Sequence, residues 1–263
     1  MSQPDPASPL QLDIARAIAR IRFNRPDSLN AINIGMAQAF QDAIATIAAT
    51  PGVRAVLLCG QGKAFMAGGD LAELSLDSAT TAARIIEPLH AGLQIMAALP
   101  VPVVASVHGA IAGAGLSMML AADLAIAADD SIFNMAYARI GASPDGSGSW
   151  HLPRVVGLRK AMEIALLSES FDAQEALRLS VVNRVVPASD LLAETDKLMR
   201  RLADGPTASF GHIKSLLREA QTRDLATQLD AERAAFEACA ATEDFHEGVT
   251  AFLQKHRPAY HGR

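Results

Sequence analysis

Apolar residues recur along the chain at two different periods. Compact apolar runs at residues 53–58, 101–107, 124–127 and 181–186 read as buried strands, and residues 10–23 read as two short strands joined in a hairpin. After the hairpin, Ile34, Ala37, Phe40, Ile44 and Ile47 follow helical spacing behind Asn33, whose side chain can cap the first turn. Helical stretches between the strands predict a wound α/β core. Beyond about residue 188 the strand pattern stops. Residues 191–202, 207–220, 225–239 and 244–253 read as helices with apolar stripes, and Gly205-Pro206 punctuates the shift. The pattern therefore divides into a core over residues 1–200 and a helical region over residues 201–263. So few helices cannot bury both faces alone, so they are expected to pack on the core or on a neighbouring subunit.

Two glycine-rich turns, Gly62-Lys63-Ala64-Phe65-Met66-Ala67-Gly68-Gly69-Asp70-Leu71 and Gly109-Ala110-Ile111-Ala112-Gly113-Ala114-Gly115-Leu116, each link an apolar run to a helical one. Strand–glycine–helix junctions occur in any α/β protein, but small residues also let a ligand carbonyl reach backbone N–H groups, and a helix N-terminus adds partial positive charge. As a pair the turns read as an oxyanion hole. The spacing of Gly109, Gly113 and Gly115 is not that of a dinucleotide site, and the chain has no phosphate loop of the G-x-x-x-x-G-K-[ST] kind.

With 263 residues, half of them apolar, the chain can build one large core. A net charge of −5 and the absence of a Lys/Arg block argue against a nucleic-acid partner. Cys59 sits in an apolar run far from Cys239, which fits neither a disulfide framework nor a zinc site and implies a reducing compartment. The histidines show no metal spacing, so no metal is assigned. The first residues lack the charged and apolar regions of a secretory leader, and no apolar run is long enough to cross a membrane; the expected location is cytoplasmic.

The residues around the two turns resemble the crotonase superfamily, the enoyl-CoA hydratases and isomerases. Phe23-Asn24-Arg25-Pro26-Asp27-Ser28-Leu29-Asn30-Ala31 is similar to the family's opening N-R-P-x-x-L-N-A signature, residues 62–71 to its first oxyanion turn, and residues 107–123 to its second. Leu152-Pro153-Arg154-Val155-Val156-Gly157 and the E-G-x-x-A-F-x-x-K stretch within residues 243–262 also fit. The resemblance implies an α/β spiral of ββα units, a C-terminal helical trimerisation region, homotrimers or homohexamers, and acyl-CoA thioester substrates, with no cofactor beyond the coenzyme A that the substrate carries. It implies that the N–H groups of Gly69 and Ala114 form the oxyanion hole beside Gly113. It also implies that Arg25, Asn30, Ala31, Ala67, Gly68, Asp70, Leu71 and Ala72 line the coenzyme A path, although Asn30 and Asp70 can equally hold turns, and a carboxylate at residue 70 would repel phosphates.

Hydratases of this superfamily carry two glutamates where this chain has Ser117 and Tyr137. Neither ionises near neutral pH. One carboxylate remains nearby, Asp145 in Ser143-Pro144-Asp145-Gly146-Ser147, which reads either as a turn aspartate or, by resemblance, as an active one. With Trp150 and Leu152-Pro153-Arg154 it is most similar to the ring-epoxyphenylacetyl-CoA isomerase type. A single carboxylate can shift a double bond, or open a ring epoxide, while hydration asks for more. The resemblance therefore implies an isomerase with Asp145 as acid/base. A weak hydratase, a non-catalytic CoA-binding protein, and an enzyme like 4-chlorobenzoyl-CoA dehalogenase, with His90 as its base, are the alternatives. His90 also reads as an ordinary structural histidine.

Overall fold

A computed structural model describes residues 8–263; the first six residues, read above for a leader, lie outside the described residues. β1 (Leu10–Ala15) and β2 (Ile18–Phe23) form the antiparallel hairpin. Its two-residue loop, Arg16-Ala17, is left-handed at both positions (φ 49° and 63°), the geometry that matches the twist of paired strands. α1 (Ile34–Ala49) begins where the sequence places it, with the Met36 N–H donating to Asn33 Oδ1 at 2.9 Å. β3 (Ala55–Gly60), β4 (Val103–Val107), β6 (Leu124–Ala128) and β9 (Arg184–Val186) then run parallel to β2, giving the order β1-β2-β3-β4-β6-β9. The expected strand over residues 181–186 is shorter. Val181 and Val182 are buried in a turn, with the Val181 N–H donating to the Ala176 carbonyl; the core needs their apolar side chains although they pair with no strand.

A smaller sheet grows out of the connections. β5 (Ala110–Ala112) pairs parallel with β7 (Ile132–Asn134), and β7 pairs antiparallel with β8 (Phe171–Asp172). Single-residue bridges between Met66 and Ile111 and between Ile32 and Gly69 carry this pairing into the first glycine-rich turn. The large-sheet strands β3, β4 and β6 are thus each followed by a short segment that pairs in the smaller layer. α2 (Leu71–Leu74), α3 (Ser78–Ala98), α4 (Ala114–Ala121), α5 (Gly148–Val156), α6 (Leu158–Leu167) and α7 (Ala173–Arg178) close the units.

Side chains of the large sheet are buried on both faces, which explains why its strands read as nearly continuous apolar runs. Val56 and Leu58 of β3 join the main core with Ile21 and Phe40, while Ala55 and Leu57 point the other way, onto Met199 of α8 (Leu191–Ala203). α8 therefore belongs to the packing of the sheet and runs across residue 200. Beyond Gly205-Pro206 come α9 (Thr207–Glu219), α10 (Leu225–Ala240) and α11 (Glu243–Gln254). These three helices leave large apolar side chains in solvent, among them Leu217 at 70%, Phe236 at 66% and Phe252 at 85% exposure.

Candidate active site

The two glycine-rich turns are built against each other. The Met66 N–H donates to the Ala110 carbonyl at 3.2 Å, and the Ala112 N–H to the Met66 carbonyl at 3.0 Å. Gly115 cannot carry a side chain, because a Cβ there would lie 2.2 Å from the Met66 carbonyl oxygen. Gly68 and Gly113, at φ 112° and 50°, adopt conformations that other residues avoid, and a Cβ on Gly113 would sit 3.6 Å from Gly68 Cα. Here backbone faces backbone, with no side chain between.

Asn30 supports the first turn from inside. It is fully buried and left-handed (φ 57°), accepts the Arg25 N–H at 2.8 Å, and donates to the carbonyls of Gln61 and Ala64 at 2.9 and 2.8 Å. The Arg25 guanidinium donates to the Ala31 carbonyl at 2.6 Å and pairs with Asp70 at 2.8 Å. Asp70 also caps α2, accepting from the Glu73 N–H at 3.3 Å. Burial alone would raise the Asp70 pKa, but the Arg25 hydrogen bond and the Glu73 amide outweigh it and hold the carboxyl below its ordinary value.

A cavity of about 640 Å³ opens between these turns and α3. Ala67, Gly68, Gly69 and Leu71 line it from the first turn, and Gly113 and Ala114 from the second. Neighbouring amides are used within the protein, Asp70 N–H toward Ile32 and Gly113 N–H toward Asn134, while the Gly69 and Ala114 N–H groups have no acceptor among the described residues. Ala114 is also the first residue of α4, where the helix adds partial positive charge. The opposite wall is apolar. Ala82, Ile85, Ile86 and Leu89 stand on one face of α3, joined by Ile140 and Ala142.

Arg25, Asn30, Ala31, Asp70, Ala72, Ser117 and His90 are not among the residues lining this cavity. The C-terminal helices contribute no lining residue; Ala136, Ile140, Ala142 and Ser143 complete the cavity instead. Those four sit in a segment of turns with no hydrophobic period, so only the neighbouring Tyr137 and Asp145 pointed to it. Met66, Met118, Met119 and Met135 fill the main core.

Asp145 and Tyr137 meet at the far end of the cavity. Tyr137 opens a short 3-10 turn, Tyr137–Ile140, and its hydroxyl donates to Asp145 Oδ1. Ser117 Oγ, on the fully buried α4, lies 3.0 Å from the same phenolic oxygen. A phenol has one proton, and it goes to the carboxylate, so Ser117 is the donor in the second bond. Burial, then the negative charge of Asp145, push the Tyr137 phenol well above the ordinary tyrosine range. It stays protonated, and Asp145 is the only carboxylate lining the cavity among the described residues. His90 Nε2 accepts the Gly146 N–H at 3.1 Å, so the lone pair a base would use is already engaged. Among the described residues no three His, Cys, Asp or Glu side chains are placed to hold a metal ion, and no helix is long and apolar enough to cross a membrane.

Fold and site together define an α/β protein in which two unpartnered backbone amides and a half-buried carboxylate share one cavity. The sequence pattern of the enoyl-CoA hydratase/isomerase family matches residues 13–263, and the chain belongs to that family. It is 36% identical over 254 residues to the Rhodobacter capsulatus protein named "Probable enoyl-CoA hydratase", covering 97% of this chain and 98% of that one. It is 35% identical over 257 residues to the 1,2-epoxyphenylacetyl-CoA isomerase of Escherichia coli, covering 95% and 97%. The crystal structure of an enoyl-CoA hydratase from a Polaromonas species matches with a TM-score of 0.90 at 33% identity, over 96% of this chain and 99% of that one. The fold is the crotonase-like one that the sequence resemblance implied.

Proposed function

We propose that this family member isomerises enoyl-CoA thioesters, with Asp145 as the single acid/base and the Gly69 and Ala114 amides as the oxyanion hole. The observation that carries the reading is the lone carboxylate. Asp145 takes a proton from C2 of a 3-enoyl thioester, the electron pair delocalises onto the thioester oxygen, and the two amides hold that oxyanion. Asp145 then returns the proton at C4, leaving the double bond between C2 and C3. Hydration needs a second group to activate water, and the protonated Tyr137 and the neutral Ser117 supply none at neutral pH.

The relative that acts on 1,2-epoxyphenylacetyl-CoA makes a ring epoxide the second substrate to assay. Ala67, Gly68 and Leu71, which line the cavity, are assigned to the thioester and pantetheine side, while Arg25, Asn30 and Asp70 hold the turn that presents them. Conversion of 3-enoyl-CoA to 2-enoyl-CoA, measured beside hydration of crotonyl-CoA, tests the assignment. Isomerisation should be the faster reaction; faster hydration overturns the reading.

The exposed apolar side chains of α9, α10 and α11 support self-association as a homotrimer or homohexamer. Light scattering should then give a mass several times the 27.7 kDa of one chain, and a monomer at micromolar concentration would contradict it.

A further inference from the structure

A second cavity of about 290 Å³ lies behind Asp145, lined in part by His90, Gln94, Ser147, Trp150, His151 and Arg218. Only a thin wall separates it from the acyl cavity. Asp145 and Leu89 face the acyl side, whereas Ser147 and His90, the next residues but one and one along, face the second cavity. Across that wall runs the bond from the Gly146 N–H to His90 Nε2. The segment it holds is conformationally costly at Ser147, a non-glycine residue in the left-handed region (φ 70°) whose buried hydroxyl has no partner among the described residues.

We propose that His90 is a positioning residue for Asp145, gripping the Gly146 amide as a neutral imidazole protonated on Nδ1 while Tyr137 grips the carboxylate. The proposal rests on the reading of Asp145 as the acid/base. Rotation of the Gly146 peptide would swing the neighbouring Asp145 side chain, and an ångström of misplacement costs an acid/base about 10²-fold. His90 is open to water from the second cavity, not from the acyl side. An imidazole carrying a second proton has no lone pair left and cannot accept the amide. The titratable and charged groups that share its cavity are His151 on α5 and Arg218 on α9, which is paired with Asp123, while Asp145, held by Tyr137, lies one residue before the Gly146 that His90 grips. Burial, then Arg218 and Arg154, hold the His151 pKa down at about 4, so His151 carries no charge near neutral pH.

The test compares His90→Leu, His90→Gln and Asp145→Asn in 3-enoyl-CoA isomerisation across pH. His90→Leu removes the acceptor and should lower kcat at least about 10-fold with KM little changed. In His90→Gln, Oε1 reaches the place of Nε2 and accepts the amide without titrating. That variant should keep most of the wild-type kcat and be less sensitive than wild type to acidification, because an amide, unlike an imidazole, cannot lose its acceptor by taking up a proton. Wild-type kcat in His90→Leu, with Asp145→Asn inactive, overturns the positioning role alone, and so does a His90→Gln enzyme as slow as His90→Leu, the result a base would give. Full activity in Asp145→Asn overturns both this proposal and the reading beneath it. Should His90→Leu fail to fold, the pH profile of His90→Gln decides, and a profile identical to wild type counts against the role.

Discussion

At one end of the cavity lie the unpartnered backbone amides of Gly69 and Ala114, placed by two turns in such close contact that Gly115 has no room for a Cβ. At the other end they are side chains, with Asp145 gripped by Tyr137 and Tyr137 backed by Ser117. The first end depends on sterics and fold, and any reaction through a thioester enolate needs it. The second depends on which side chains titrate, and under the proposed function it selects the reaction. Changes at the backbone end should therefore cost structure and activity together, while changes at the side-chain end should cost turnover and spare binding.

Gly115→Ala is the most damaging test at the backbone end. Its new Cβ meets the Met66 carbonyl oxygen head on, so the two turns have to separate. An overpacking cost of about 3 kcal/mol would lower Tm by roughly 6–12 °C in a domain of this size. Losing one oxyanion donor costs about 10²-fold in kcat. Normal melting with normal turnover would show that the close contact of the turns is not what places the amides.

Tyr137→Phe removes a hydrogen bond to a charged carboxylate while keeping the ring. Such a bond contributes about 1.5–3 kcal/mol, so kcat should fall about 10-fold or more while acyl-CoA affinity, measured by calorimetry, stays within about twofold. A matched loss of affinity would move Tyr137 from the chemistry to the substrate pocket.

Asp70→Asn has the smallest expected effect. The folded-state pKa of Asp70 is depressed, so its contribution to stability is present above the ordinary carboxylate range and is lost as pH falls through the folded value. The variant should melt slightly below wild type near pH 7, and the two curves should converge as pH falls below the ordinary carboxylate range. Turnover should change little, because Asp70 caps α2 and pairs with Arg25 without lining the cavity.

The backbone end was the more legible in the sequence because its requirement is for small residues at fixed spacing, and Gly68, Gly69, Gly113 and Gly115 stand out from any chain. The hairpin, α1 with its Asn33 cap, and the parallel strands were readable for the same reason, since burial on one or two faces imposes a period. β5, β7 and β8 were not. Strands of two or three residues are too short to show alternation, and their pairing is set by the turns they border. The side-chain end was legible only in its membership. Asp145, Tyr137, Ser117 and His90 were all named, but that Tyr137 donates to Asp145 and that His90 accepts from Gly146 are contacts between separate elements, which no local pattern encodes.

In the proposed isomerisation Asp145 moves the proton. Asp145→Asn keeps the shape of the side chain but cannot accept one, so 3-enoyl-CoA isomerisation should fall at least about 10²-fold, the low end for a positioned general base, while acyl-CoA binding by calorimetric titration stays nearly unchanged. An Asp145→Asn enzyme that isomerises at the wild-type rate would show that another group carries the proton.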